Sequence, residues 1–144
     1  KNIQLNKYKN IQLYNYFVGN SGNKIEFRSN DKSPYLGIER YKNKLLKREN
    51  YENTVSVECI NIPEFLKQIT FDPKYIFMDI EGFEVDVIEQ LSEKYLVTKS
   101  PILVFEHHER RYDKNKGLKY IRELLTNNGY MTRKVYGNMI AFKE

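Results

Sequence analysis

A single cysteine, Cys59, and no tryptophan occur in 144 residues. One thiol excludes an internal disulfide framework and a zinc site built on thiolates. Its neighbours Val57, Glu58 and Ile60 read as a strand, so Cys59 is expected to be a small buried side chain and not a nucleophile. No apolar run approaches the roughly 20 residues of a membrane-spanning helix, and the first residues do not read as a secretory leader. Phosphate-binding loops of the Gly-x-x-x-x-Gly-Lys type, Gly-x-Ser-x-Gly elbows and Gly-x-Gly-x-x-Gly fingerprints are all missing, as are His-x-x-x-His and Cys-x-x-Cys spacings. What is present suits one soluble globular domain, expected in the reducing cytoplasm: 40% hydrophobic residues, 30% charged, and aromatics made up of twelve Tyr and eight Phe. The net charge of +5 comes from 24 Lys and Arg against 19 Asp and Glu. Much of the excess lies between Lys42 and Arg48, and it reads as a solvated surface, with neither nucleic acid nor membrane as the expected partner.

Along the chain, Ile11 to Val18 is dense in β-formers and stops at a Gly/Asn/Ser cluster over Gly19 to Asn23. Lys24 to Arg28 alternates apolar and charged side chains as a half-exposed strand does. Residues 29–53 are polar and read as a long surface excursion, with a short helix around Tyr41 to Glu49. Thr54 to Ile60 is another strand. Asn61 then caps a helix over Ile62 to Gln68, with Pro63 in the first turn and Glu64 three residues beyond the cap.

The most informative stretch is Tyr75 to Leu91. Its first half, Tyr75 to Ile80, is nearly continuous and apolar, as in a strand covered on both faces. Gly82 breaks it, and Phe83, Val87, Ile88 and Leu91 then follow helical spacing. The pattern recurs from Pro101. Ile102 to Phe105 is a buried-strand run ending in Glu106, His107 and His108, and an amphipathic helix through Leu118, Ile121, Leu124 and Leu125 stops at Asn128-Gly129. Tyr130 to Tyr136, a turn at Gly137-Asn138, and Met139 to Phe142 form a hairpin. Strand, helix, strand, helix, hairpin predicts an α/β layered domain with a mostly parallel sheet and an antiparallel C-terminal edge.

In such sheets ligands bind beyond the carboxyl ends of the strands. Asp79 and Glu81 share one face of the first of these strands, and Glu106 and His108 share a face of the second. If the strands are neighbours the four groups converge, and they could hold a divalent cation, position a hydroxyl or take its proton. Capping the helix that follows Gly82 is the competing reading for Asp79 and Glu81, and Glu84 and Asp86 in its first turn fit capping and the helix dipole better than catalysis. For His107 and His108, a structural histidine is the competing reading.

The segment Phe77-Met78-Asp79-Ile80-Glu81-Gly82-Phe83-Glu84-Val85-Asp86-Val87-Ile88, followed by Ile102 to Glu106, resembles the FkbM-type methyltransferases. The resemblance extends upstream through Asn2 to Asn6, Asn10 to Asn20 and Ser56 to Leu66, and so covers nearly the whole chain. It implies an S-adenosylmethionine-dependent O-methyltransferase with the class I Rossmann-like three-layer sandwich, acting on a small-molecule or sugar hydroxyl. Asp79, then Glu81, then His108 are the implied candidates for the catalytic base. Glu106, Glu84 and His107 would line the acceptor pocket. Phe17, Val18, Gly19, Asp79 and Gly82 would lie against the cofactor, with Phe17 to Gly19 near its adenine edge. No metal ligands are implied, although a divalent ion is compatible with the carboxylates.

The resemblance also implies a glycine-rich first strand loop, and no such loop occurs in these residues. Residues 1–144 are therefore expected to be a single partial domain, the C-terminal two-thirds of the fold, with its first two strands missing. In the class I strand order 3-2-1-4-5-7-6 that loss would split the sheet, and poor cofactor binding and little activity would follow. Two readings from other classes stand beside the enzyme: a metal-dependent hydrolase or nuclease using Asp79, Glu81, Glu106 and His108, and a non-catalytic interaction module presenting the basic segment 40–48.

Overall fold

A computed structural model of the chain describes residues 7–19, 24–30, 33–38, 53–80, 82–91, 93–107 and 116–144. Its strands form two four-stranded sheets, in the orders β1-β4-β2-β3 and β5-β6-β8-β7. The chain divides into two compact units, one drawn from residues 1–17 and 21–60 and the other from 18–20 and 61–144.

The first sheet is built from β1 (Phe17–Val18), β2 (Lys24–Asn30), β3 (Ser33–Ile38) and β4 (Asn53–Ile60). β2 is antiparallel to both β3 and β4. Its register with β4 sets Lys24 opposite Glu58 and Glu26 opposite Ser56, so opposite charges face each other at one end of the ladder. Two expectations change here. The strand expected over Ile11 to Val18 contracts to Phe17–Val18, because only these two residues join the ladder, and Leu13 is left largely exposed. The excursion expected over 29–53 includes a strand, Ser33–Ile38, which pairs with β2 across a register shift between Arg28 and Asn30. The short helix expected around Tyr41 to Glu49 lies outside the described residues, as does most of the Gly19 to Asn23 turn.

The second unit carries α1 (Ile62–Gln68), β5 (Tyr75–Met78), α2 (Glu84–Gln90), α3 (Glu93–Lys99), β6 (Ile102–Glu106), α4 (Leu118–Asn127), β7 (Met131–Val135) and β8 (Asn138–Phe142). Asn61 caps α1 as its sequence position predicts, its side-chain oxygen accepting the Glu64 N–H at 2.8 Å. At its far end α4 stops in a Schellman arrangement. Gly129, at φ +79°, donates to the Thr126 carbonyl, and Tyr130 donates to Leu125.

β5 and β6 are parallel, β8 is antiparallel to β6, and β7 is antiparallel to β8. The expected antiparallel C-terminal hairpin is present. Of the pairings in this sheet, β5–β6 is parallel, whereas β8, returning from β7 through two residues, runs against both of its neighbours. The turn is Tyr136-Gly137, one residue earlier than expected, with φ of +46° and +87°. Two successive positive φ values match the right-handed twist of the strands that they join.

One face of this sheet is closed. Met78, Leu103, Phe105, Met139 and Ala141 pack with Val87, Ile88, Leu91, Leu96, Ile121 and Leu125 from the helices in a continuous apolar core. Burying each large side chain fully contributes about 1.5–3 kcal/mol. The alternate face differs from expectation. Tyr75 and Phe77, read as covered on both sides, are 57% and 73% exposed and stack on each other with ring centroids 6.3 Å apart. Period-two alternation sends Met78 into the helix-covered core and Phe77 to the opposite side.

Candidate functional site

Parallel pairing brings the two informative strand ends together. The β5–β6 register runs from Tyr75 beside Ile102 to Met78 beside Phe105. Asp79 and Glu106 are each the next residue along, so these two carboxylates stand at adjacent carboxyl ends, both exposed. The two strands are neighbours, which is the condition on which the expected convergence depended. Glu81 and His108, the other two candidates for that cluster, lie outside the described residues.

The backbone beyond Asp79 turns sharply. The Phe83 N–H donates to the Ile80 carbonyl at 3.3 Å, and Gly82 sits at φ +105°, where a side chain is strained. The glycine expected for a tight turn is therefore required by its conformation. Glu84 completes the turn. Its carboxylate is fully buried, and Oε1 accepts the N–H groups of Ile80 at 3.4 Å and Gly82 at 3.3 Å. Glu84 thus holds the segment that carries Asp79, a task different from the acceptor contact implied by resemblance and closer to the capping reading of its position. A buried carboxylate facing backbone amides is directed into the turn and away from solvent.

His107 is also held by the protein. Its Nδ1 lies 2.8 Å from the Gly137 carbonyl oxygen, and its Nε2 lies 3.3 Å from Lys134 Nζ. Both ring nitrogens are engaged with the hairpin, which favours a structural role over an acceptor contact. Phe17 and Val18 are half-buried in β1, and Gly19 is buried just after it.

A second ionic group ties the helix that begins at this turn to α4. Glu89 near the end of α2 accepts Lys116 Nζ at 2.8 and 3.0 Å and the Tyr120 hydroxyl at 2.6 Å. Partial burial pushes the Glu89 carboxyl up, but the bonds from Lys116 and Tyr120 and the lysine's charge outweigh it and hold the group below its ordinary value. The same bond to Glu89 raises Lys116 and Tyr120. Sequence reading missed this clamp, since Glu89 and Lys116 are far apart in the chain and neither belongs to a motif.

Among the described residues no group of three or more His, Cys, Asp or Glu side chains is placed to hold a metal ion, and no helix is long and apolar enough to cross a membrane. Two open clefts, of about 490 and 500 Å³, lie along α4 at Lys119, Arg122 and Glu123, and between Tyr14, Tyr16, Lys24, Ser56 and Glu58. Neither is lined by Asp79 or Glu106.

No curated protein and no solved structure matches the chain. The family comparison does: the methyltransferase FkbM domain matches residues 1–131, which include both strand ends, the Gly82 turn and α4. On that match the chain belongs to the FkbM methyltransferase domain family.

Proposed function

We propose that the protein is an S-adenosylmethionine-dependent O-methyltransferase acting on a hydroxyl of a small molecule or sugar. The observation that carries this reading is the placement of Asp79 and Glu106 at adjacent carboxyl ends of parallel strands, beside the Gly82 turn, in a member of a methyltransferase family. The order β5-β6-β8-β7, with β8 alone reversed, supports it further. It is the order of the last four strands, 4-5-7-6, of a class I methyltransferase sheet.

The residues present fit part of the cofactor. The exposed carboxylate of Asp79 suits a positively charged sulfonium, and a glycine at φ +105° leaves the adjoining backbone without a side chain. Phe17, Val18 and Gly19 are the residues assigned to the adenine edge. Bound S-adenosylmethionine supplies an electrophilic methyl group. Asp79 accepts the proton of the acceptor hydroxyl, and Glu106 accepts a hydrogen bond that orients the acceptor for in-line attack. The glycine-rich loop that would cradle the methionine part does not occur in these 144 residues.

The activity is tested by methyl transfer from labelled S-adenosylmethionine to a panel of sugars and small hydroxylated metabolites. Transfer to a hydroxyl supports the reading. Divalent-ion-dependent hydrolysis without S-adenosylmethionine would replace it with metal-assisted chemistry at the same carboxylates.

A further inference from the structure

The geometry points to His107 as a positioning residue that fastens the carboxyl end of β6, and Glu106 with it, to the β7–β8 turn. The β6–β8 ladder ends at Glu106 opposite Asn138. Continuing that antiparallel register would pair His107 with Gly137. Gly137 instead belongs to the turn, at φ +87°, and the His107 imidazole supplies a donor to its carbonyl at 2.8 Å.

The two contacts also fix which nitrogen carries the proton. A carbonyl oxygen only accepts, so Nδ1 is protonated and donates to Gly137. Nε2 is then the acceptor, and the Lys134 ammonium 3.3 Å away donates to it. One neutral ring thereby joins three places in the fold: the end of β6, the turn, and the outer strand β7. Glu106, the residue immediately before it, is one of the two carboxylates at the candidate site. The catalytic consequence rests on the methyl-transfer reading above, whereas the latch itself does not.

The test combines ¹⁵N NMR of the imidazole at neutral pH, amide hydrogen exchange at the ladder end, and methyl-transfer kinetics. His107→Phe, His107→Asn and Lys134→Met are compared with wild type. The wild-type ring is expected to be protonated at Nδ1 and not at Nε2. His107→Phe should speed exchange around Glu106 and Asn138 on the order of tenfold relative to the amides around Leu103 and Ala141, as loss of one hydrogen bond implies. His107→Asn, whose Nδ2 can stand where Nδ1 stood, should restore most of the protection, and Lys134→Met should have the smaller effect. In turnover, His107→Phe should raise the acceptor KM more than it lowers kcat, and the Asn variant should recover it.

A ring protonated at Nε2 alone, or unchanged exchange at the ladder end, overturns the latch. If the Phe variant does not fold, the wild-type ring and Lys134→Met decide. Unchanged kinetics in a His107→Phe protein with a loosened ladder end overturn the positioning role. A wild-type protein that transfers no methyl group removes the methyl-transfer reading, while the tautomer and exchange still judge the latch.

Discussion

Glu84 and Tyr130 show how single polar side chains secure this fold. Glu84 is fully buried, and its Oε1 takes two amide hydrogen bonds from the turn after Asp79. Glu84→Ala leaves those amides unmet and should cost roughly 2–3 kcal/mol in urea unfolding, with Glu84→Gln, which keeps an accepting oxygen, costing less. Its position after Gly82 signalled a first-turn carboxylate, but not that the side chain folds back onto the turn, because such reach depends on backbone geometry that spacing does not encode. Tyr130 donates to the carbonyls of Pro101 at 3.0 Å and Leu96 at 3.3 Å. Burial, helped by nearby Tyr95, pushes its hydroxyl up to about 12 from an ordinary 10.0. The folded protein therefore holds this proton more tightly than the unfolded chain. The resulting stabilisation is complete below about pH 10 and is lost as pH rises toward about 12. Unfolding midpoints measured across that window should fall, and Tyr130→Phe should flatten the fall.

At the scale of elements, the hairpin invites substitution. Tyr136 is fully exposed and adopts φ +46°, a conformation in which asparagine is at ease and tyrosine is not. Tyr136→Asn should stabilise the protein by about 0.5–1 kcal/mol. Gly137 has open space where a Cβ would go but sits at φ +87°. Gly137→Ala should therefore destabilise through backbone conformation alone, by about 1–2 kcal/mol, in thermal or urea unfolding. The clamp of Glu89, Lys116 and Tyr120 acts between α2 and α4. Because Glu89 is held below its ordinary value, its contribution is present above about pH 4.5 and is lost as pH falls further through the folded value. Glu89→Gln should lower the melting temperature at neutral pH and have little effect in acid.

Elements with local chemical punctuation were legible: the Asn61 cap, the Asn128-Gly129 stop and the β7–β8 hairpin. Others were not. β3 contains Pro34 and Gly37, which argue against a strand, yet it pairs with β2. α3 is a helix of only seven residues, close behind the end of α2 at Gln90, that sequence reading did not separate from its surroundings. Ile11 to Tyr16 has strand composition, but pairing begins only at Phe17. In each case a tertiary partner decides, which local propensity cannot report.

Across the whole molecule, the two four-stranded sheets divide the work unevenly. The second sheet carries the helices, the continuous core and both strand-end carboxylates, so the chemistry is assigned there. Part of the candidate site was legible: an acidic residue ending an apolar strand is a visible signal at Asp79 and Glu106, and the β5–β6 register sets those two strand ends side by side. The engagement of His107 with Gly137 and Lys134 was not visible, because it depends on how the hairpin folds back. The central claim is that Asp79 takes the proton of an acceptor hydroxyl during methyl transfer. The direct test is the rate of transfer from labelled S-adenosylmethionine by wild type and Asp79→Asn, with folding checked by circular dichroism. A fall in kcat of about 10²-fold or more, in a folded variant, is the expected result. An Asp79→Asn protein that turns over at the wild-type rate would contradict it.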